Sequence, residues 1–225
     1  MTRGYRWIGG IGYILLLIPF VNFIGSILVA IAWIMAGGDT KQGIFKATGV
    51  LMITVMALSL VLVATLFPFM GVMMGQDLWG VTPSLPPDMF SYLYGALGIF
   101  LIIFAVMAVL GIVEWILELV SHFRAASVYN VKWFRRAGWM RIITIITLVG
   151  ALVFLLTQIF SLISMGPFSI DPSKIINLIW TFISILIIPA VFHLLSLIFS
   201  AISFFTIPET FVKEPPSPSE LPPPL

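Results

Sequence analysis

Four ionisable side chains stand inside otherwise apolar sequence: Glu114, Glu118, His122 and His193. The first three fall at i, i+4 and i+8, so a helix carries them roughly on one face. A carboxylate and an imidazole in such surroundings can relay a proton, hold a cation or share a metal ion. Taking a charge out of water into lipid is costly enough to make each of these residues a functional hypothesis. A plainer account competes with that one. Glu118 and His122 would mark the membrane interface, snorkelling or pairing with Arg124 or Arg141, and His193 would bond a neighbour such as Ser196. The plainer account is preferred throughout, least so for Glu114. That residue lies about eight positions, or ~12 Å, past the middle of its helix, and His193 is close enough to its own helix centre for the two to meet.

Little else in the chain carries chemistry. There is no cysteine, which excludes disulfides, thiolate nucleophiles, iron–sulfur clusters and cysteine-based zinc sites. No Ser/His/Asp constellation, phosphate-binding loop or His-Glu-x-x-His signature is present. The expectation is a protein that is not an enzyme and that holds no cofactor and no metal. A net charge of +2, with basic residues set beside apolar runs, leaves no footprint for nucleic acid.

The elements that position these side chains follow from where charge is missing. Five stretches carry no Asp, Glu, Lys or Arg: Trp7–Gly38, Ala47–Gln76, Met89–Val113, Ile142–Ile170 and Ile175–Pro208. About 20 apolar residues of helix span a bilayer core of ~30 Å, and each stretch exceeds that. Mean hydropathy is +1.16 and 60% of the residues are hydrophobic, above the roughly 45–50% of soluble domains. The alternating segments of a transmembrane barrel are absent. The fold class is therefore all-α: a polytopic integral membrane bundle of four long transmembrane helices plus an N-terminal broken helix or short hairpin. Residues 1–206 form one transmembrane domain, and residues 207–225 a Pro-rich, disordered tail.

The first stretch is ambiguous. Pro19 interrupts it, biasing Ile18 away from helix, and Asn22 suits an N-cap for a second segment, Ile24–Ala36. It either crosses once with a kink or folds back. It is too long for a signal-peptide core and resumes after Ala30-Ile31-Ala32, so cleavage there is not expected. Basic residues favour the cytoplasmic side. The loop Ser121–Arg141 holds five, whereas Gly71–Phe90 holds only Asp77 and Asp88. A fold-back puts ten of the eleven basic residues inside, with Lys174 the exception; a kinked crossing puts eight inside. The fold-back is preferred, with both termini cytoplasmic in a multi-pass cell-membrane protein.

Gly9, Gly12 and Gly25 recur as Gly95, Gly98 and Gly111 at a constant offset of 86, a hint of internal repetition. Their spacing of three suits close helix contact. Trp115, Trp133 and Trp139 read as an inner aromatic belt. Trp79, Pro83, Pro86 and Pro87 suggest a segment lying along the outer surface, and Pro215–Pro218 forms a Pro-x-x-Pro unit in the solvated tail.

The segments Ile8-Gly9-Gly10-Ile11-Gly12-Tyr13-Ile14 and Tyr129-Asn130-Val131 with Phe134-Arg135-Arg136-Ala137-Gly138 resemble an uncharacterised, largely archaeal membrane-protein family known as domain of unknown function 996. The resemblance covers roughly Arg6 to Phe205. It implies a multi-helix membrane protein and supplies neither activity nor site residues.

Small loops, glycine-lined helices and a sparse polar interior point to a non-enzymatic subunit, assembly factor or scaffold component of a membrane complex. Its partners would be the lipid bilayer and other membrane subunits, or a second copy of itself. The alternative is a small proton- or cation-coupled transporter or channel using Glu114 and His193.

Overall fold

The computed structural model describes residues 4–78, 87–164 and 172–209, which form six α-helices and no strand. They are α1 (Tyr5–Leu15), α2 (Asn22–Thr40), α3 (Gly43–Leu78), α4 (Pro87–Val128), α5 (Lys132–Ser164) and α6 (Pro172–Phe205). Five of them, α2 to α6, are long and apolar enough to cross a membrane. The chain is a polytopic helical membrane protein.

That count differs from the expected four long helices beside a short hairpin. The hairpin is present, but its second arm runs 19 residues and carries on through Gly37-Gly38. The diglycine does not end the helix. Gly37 packs against α3, where an added Cβ would lie 2.7 Å from the Lys46 nitrogen, and the helix stops only at Lys41, in the left-handed region at φ 55°. Asn22 is not the N-cap either; it is the first helical residue, preceded by Val21 with no side-chain cap.

The fold-back is set locally. Helix α1 stops at Leu15, tightens through Leu17 N–H to Ile14 O (3.0 Å) and Ile18 N–H to Leu15 O (3.1 Å), and meets Pro19. Phe20 takes a left-handed φ of 68° and is 99% exposed at the tip. Gly12 and Gly25 let the arms touch: a Cβ on Gly12 would lie 2.9 Å from the Val29 nitrogen, and one on Gly25 2.8 Å from the Gly12 carbonyl. At the open end of the hairpin Tyr5 Oη donates to Asp39 Oδ2 at 2.7 Å. The first turn of α1 therefore lies beside the last turn of α2.

Each helix packs on the next, and α6 packs on α1, closing a ring. Gly9 and Gly10 accept the rings of Phe204 and Phe205. Arg6 Nη2 donates to the Phe205 carbonyl at 2.9 Å, and Arg6 pairs with Glu209 at 3.2 Å. Residues 4 and 209 thus approach the same end of the ring. The connections 41–42 and 129–131 lie there too, with Gln42 Oε1 accepting from Arg124 Nε at 3.2 Å and Tyr129 Oη 3.2 Å from Tyr5 Oη. Ile207, assigned from sequence to the tail, is fully buried, so the packed domain extends past residue 206. The Trp79–Pro86 segment and the tail from residue 210 lie outside the described residues, as does the side chain of Lys174.

The apparent glycine repeat is not a structural one. Gly9, Gly12 and Gly25 sit in tight contacts, whereas a Cβ on Gly95, Gly98 or Gly111 would meet nothing within 4 Å. Gly12→Ala and Gly25→Ala should each destabilise the protein by about 1–3 kcal/mol through overpacking. Gly98→Ala should be neutral or slightly stabilising, because alanine is the better helix former. Thermal unfolding in detergent distinguishes the two classes; equal effects would mean that the hairpin arms do not touch as described.

Candidate functional site

All six helices send side chains to one buried cluster towards the end of the ring that residues 4 and 209 approach. Tyr13 comes from α1, Trp33 from α2, Phe45 and Thr48 from α3, Ser121 and His122 from α4, Phe134 from α5, and Ser200 and Phe204 from α6; all are fully buried. Rings meet at close range, with Trp33 centred 5.2 Å from Phe45 and 5.1 Å from Phe204, and Phe134 5.4 Å from Phe204. At this packing density the cluster plugs the ring.

A charged pair sits within it. Arg141 donates through Nη1 to Glu118 Oε2 and through Nη2 to Glu118 Oε1, both at 2.6 Å. This is the bidentate geometry in which guanidinium and carboxylate interact most strongly. Tyr13 Oη adds a third donor to Oε1 at 2.7 Å, and Trp33 Nε1 donates to Tyr13 Oη at 3.1 Å. Four helices are joined in the order Trp33, Tyr13, Glu118, Arg141. Of the Arg141 nitrogens, Nε has no acceptor among the described residues.

His122 takes part from the next turn. Its Nδ1 lies 2.8 Å from the Glu118 carbonyl; a carbonyl only accepts, so Nδ1 carries a proton. Its Nε2 lies 2.9 Å from Ser200 Oγ, which is 2.8 Å from the Ser196 carbonyl. In the neutral imidazole Nε2 accepts the single Ser200 proton; in the imidazolium Nε2 donates, and that proton turns to Ser196. Ser121 Oγ and Thr48 Oγ1, 2.8 Å apart, tie α4 to α3.

The structure divides the four residues singled out from sequence. Glu118 pairs with Arg141, as the plainer account expects, and neither Glu118 nor His122 snorkels outward: both are buried in the plug. Glu114 is only half-buried and takes no part in the cluster. Four residues of helix turn by 400°, so each step of four rotates the side chain ~40° around the axis; Glu114 is carried to the edge of the stripe. It opens on a groove of about 310 Å³ lined by Asn22, Phe23 and Ser26 of α2, Met52, Met56 and Ser59 of α3, and Val55. His193 is exposed, although it lies three and seven residues before the buried Ser196 and Ser200 on the same helix face. The reason is the length of α1. With Gly9 against Phe204 in an antiparallel pair, His193 falls level with Phe20, where α1 has run out. Glu114 and His193 therefore lie at the level of the hairpin tip on different sides of it, and no hydrogen bond or ion pair joins them among the described residues.

Arg141 and Tyr13 were not singled out from sequence as site residues. Arg141 closes the basic loop in sequence and stands directly against the apolar run that follows it. No group of three His, Asp or Glu residues suited to a metal occurs among the described residues. No protein-family model, curated protein or solved structure matches the chain.

Breaking a buried pair from one side leaves an uncompensated charge, at about 3–5 kcal/mol. Glu118→Leu and Arg141→Met should each destabilise the protein by about that much, and the double variant should recover most of the loss. A thermal-stability cycle over the four proteins checks this; additive losses would remove the pair as a coupled unit.

Proposed function

We propose that this protein is a non-enzymatic subunit or assembly component of a membrane complex, and that it holds its partner at the hairpin tip. One observation carries the reading: Glu114 is half-buried, opens on a groove formed by α2, α3 and α4, and has no hydrogen-bond or ionic partner among the described residues. A carboxylate at membrane depth pairs with an opposite charge or lines a functional path. The matching partner is a transmembrane segment that brings a Lys or Arg to the level of the tip, with its apolar face against Phe23, Met52 and Met56. The alternative, a proton- or cation-coupled path through Glu114 and His193, has less support, because the aromatic plug and the Glu118–Arg141 pair fill the ring beyond them. The resemblance to the family of unknown function 996 agrees with a membrane protein and adds no activity.

In mild detergent the wild-type chain should migrate as one defined complex. Glu114→Lys should release the partner, and Glu114→Gln should weaken the complex. Glu114→Gln should keep wild-type stability to within about 0.5 kcal/mol, since Glu114 makes no hydrogen bond or ion pair among the described residues. A wild-type monomer without partners, or a complex indifferent to Glu114→Lys, would overturn the proposal. A pH-dependent flux into liposomes that Glu114→Gln abolishes would install the transport reading instead.

The basic residues around Lys41, Lys46, Arg124 and Lys132 favour a cytoplasmic orientation for the end at which residues 4 and 209 lie. The chain lacks cysteine, so a single cysteine introduced at Thr2 or Asn130 reports its side directly. Both should resist a membrane-impermeant maleimide in intact cells and react after lysis; labelling of either in intact cells would invert the orientation.

A further inference from the structure

The first turns of α5 carry a second, separate arrangement. Lys132, Arg135, Arg136 and Trp139 follow the helical spacing i, i+3, i+4 and i+7, which aligns them on one face, and all four are exposed. With Ala126 and Asn130 they line a groove of about 350 Å³. The guanidinium of Arg136 sits 4.3 Å from the centre of the Trp133 ring, a cation–π contact that steadies it. No carboxylate lines the groove. Among the described residues none of the three cations has an ion-pair partner: Glu118 is taken by Arg141 and Glu209 by Arg6. Three like charges around one concavity repel each other, and an anion relieves that repulsion. The same face continues away from the charges through Ile146, Val149, Val153 and Phe160, all exposed. Trp139 lies between the charges and this apolar track, at the position tryptophan favours at the headgroup level.

We infer that the groove headed by Lys132, Arg135 and Arg136 is a binding site for an anionic phospholipid, its phosphate among the three cations and an acyl chain along α5. A free phosphate would use the charges and leave the apolar track without a role; a phospholipid uses both. The inference does not depend on the partner proposed for Glu114, whose groove shares no lining residue with this one.

Native mass spectrometry of the full chain, released from mixed phosphatidylglycerol and phosphatidylcholine micelles, tests it. The wild type should retain phosphatidylglycerol in preference to phosphatidylcholine. Each of Lys132→Gln, Arg135→Gln and Arg136→Gln should reduce that preference about fivefold, and the triple variant should abolish it. The variant Lys41→Gln/Lys46→Gln/Arg124→Gln removes equal charge elsewhere at the same end and should retain it. Single variants carry the test if the triple one does not fold. Equal loss in both triple variants would reduce the effect to general surface charge and overturn the site. Displacement of phosphatidylglycerol by millimolar inorganic phosphate would make it a phosphate site, and also overturn it.

Discussion

A carboxylate and a guanidinium that left water together fix the geometry of this bundle. Removing either ion alone from water is expensive by several kcal/mol, and attraction offsets that only when the geometry is good and the remaining donors and acceptors are filled. Glu118 meets the condition with two contacts from Arg141 and one from Tyr13. Lipid offers no substitute partners, so the helices carrying these groups are confined to the registers that bring them together. Trp33 extends the constraint to α2, and His122 extends it to α6 through Ser200. A sliding error of one turn, ~5.4 Å, in any of these helices would strand a polar group in hydrocarbon.

The hairpin follows from the same requirement. Tyr13 must reach Glu118 from a helix that starts beside Asp39 and Phe205, which takes only about two turns. Glycines at 9, 10 and 12 bring that helix close enough to α6 and α2 for the reach to succeed. Once Tyr13 is in place nothing requires α1 to continue, and Pro19 ends it. The second arm, tied at Trp33 and again at Asp39, carries on to the length of a span. An asymmetric hairpin results, and its tip stops about 40 Å short of the far end of α4 by helix rise. Glu114 and His193 are ionisable residues left at that level.

Charge-free stretches made the long helices legible in the sequence, because the length of a membrane span is a physical constant of the bilayer. The fold-back was legible for a different reason. Pro19 marks its break, and the basic residues on either side of the first stretch favour one side of the membrane. The fifth span was hidden by Gly37-Gly38, which reads as a helix end but serves as a contact with α3; a glycine's neighbours in space are not written beside it in sequence. The plug was only partly legible. Spacing grouped Glu118 with His122, and Arg141 was among the partners considered for them, but Tyr13 and Trp33 are aromatic residues in apolar runs and nothing local distinguishes them from lipid-facing ones. The grouping of Glu114 with Glu118 was misleading because a stripe of period four drifts around a helix of period 3.6. The junction of Glu114 with His193 failed because both lie beside the hairpin tip rather than across an open interior.

The two ends of the molecule differ in what they can take part in. Among the described residues, each buried side-chain polar atom is engaged inside the chain apart from the Nε atoms of Arg6 and Arg141. Any ligand passing through the cluster would have to separate rings packed at 5–6 Å and a bidentate ion pair at once. Passage through such a plug costs more than a contact made beside it. The groove at Glu114 asks for no such separation, because its carboxylate is already outside the network and its walls are already apart. The same holds for the cations of α5, which stand at the rim without an ion-pair partner among the described residues. A bundle that spends its internal polarity on closure leaves its outward-facing charges uncommitted, and both lie where they can be reached without opening the fold.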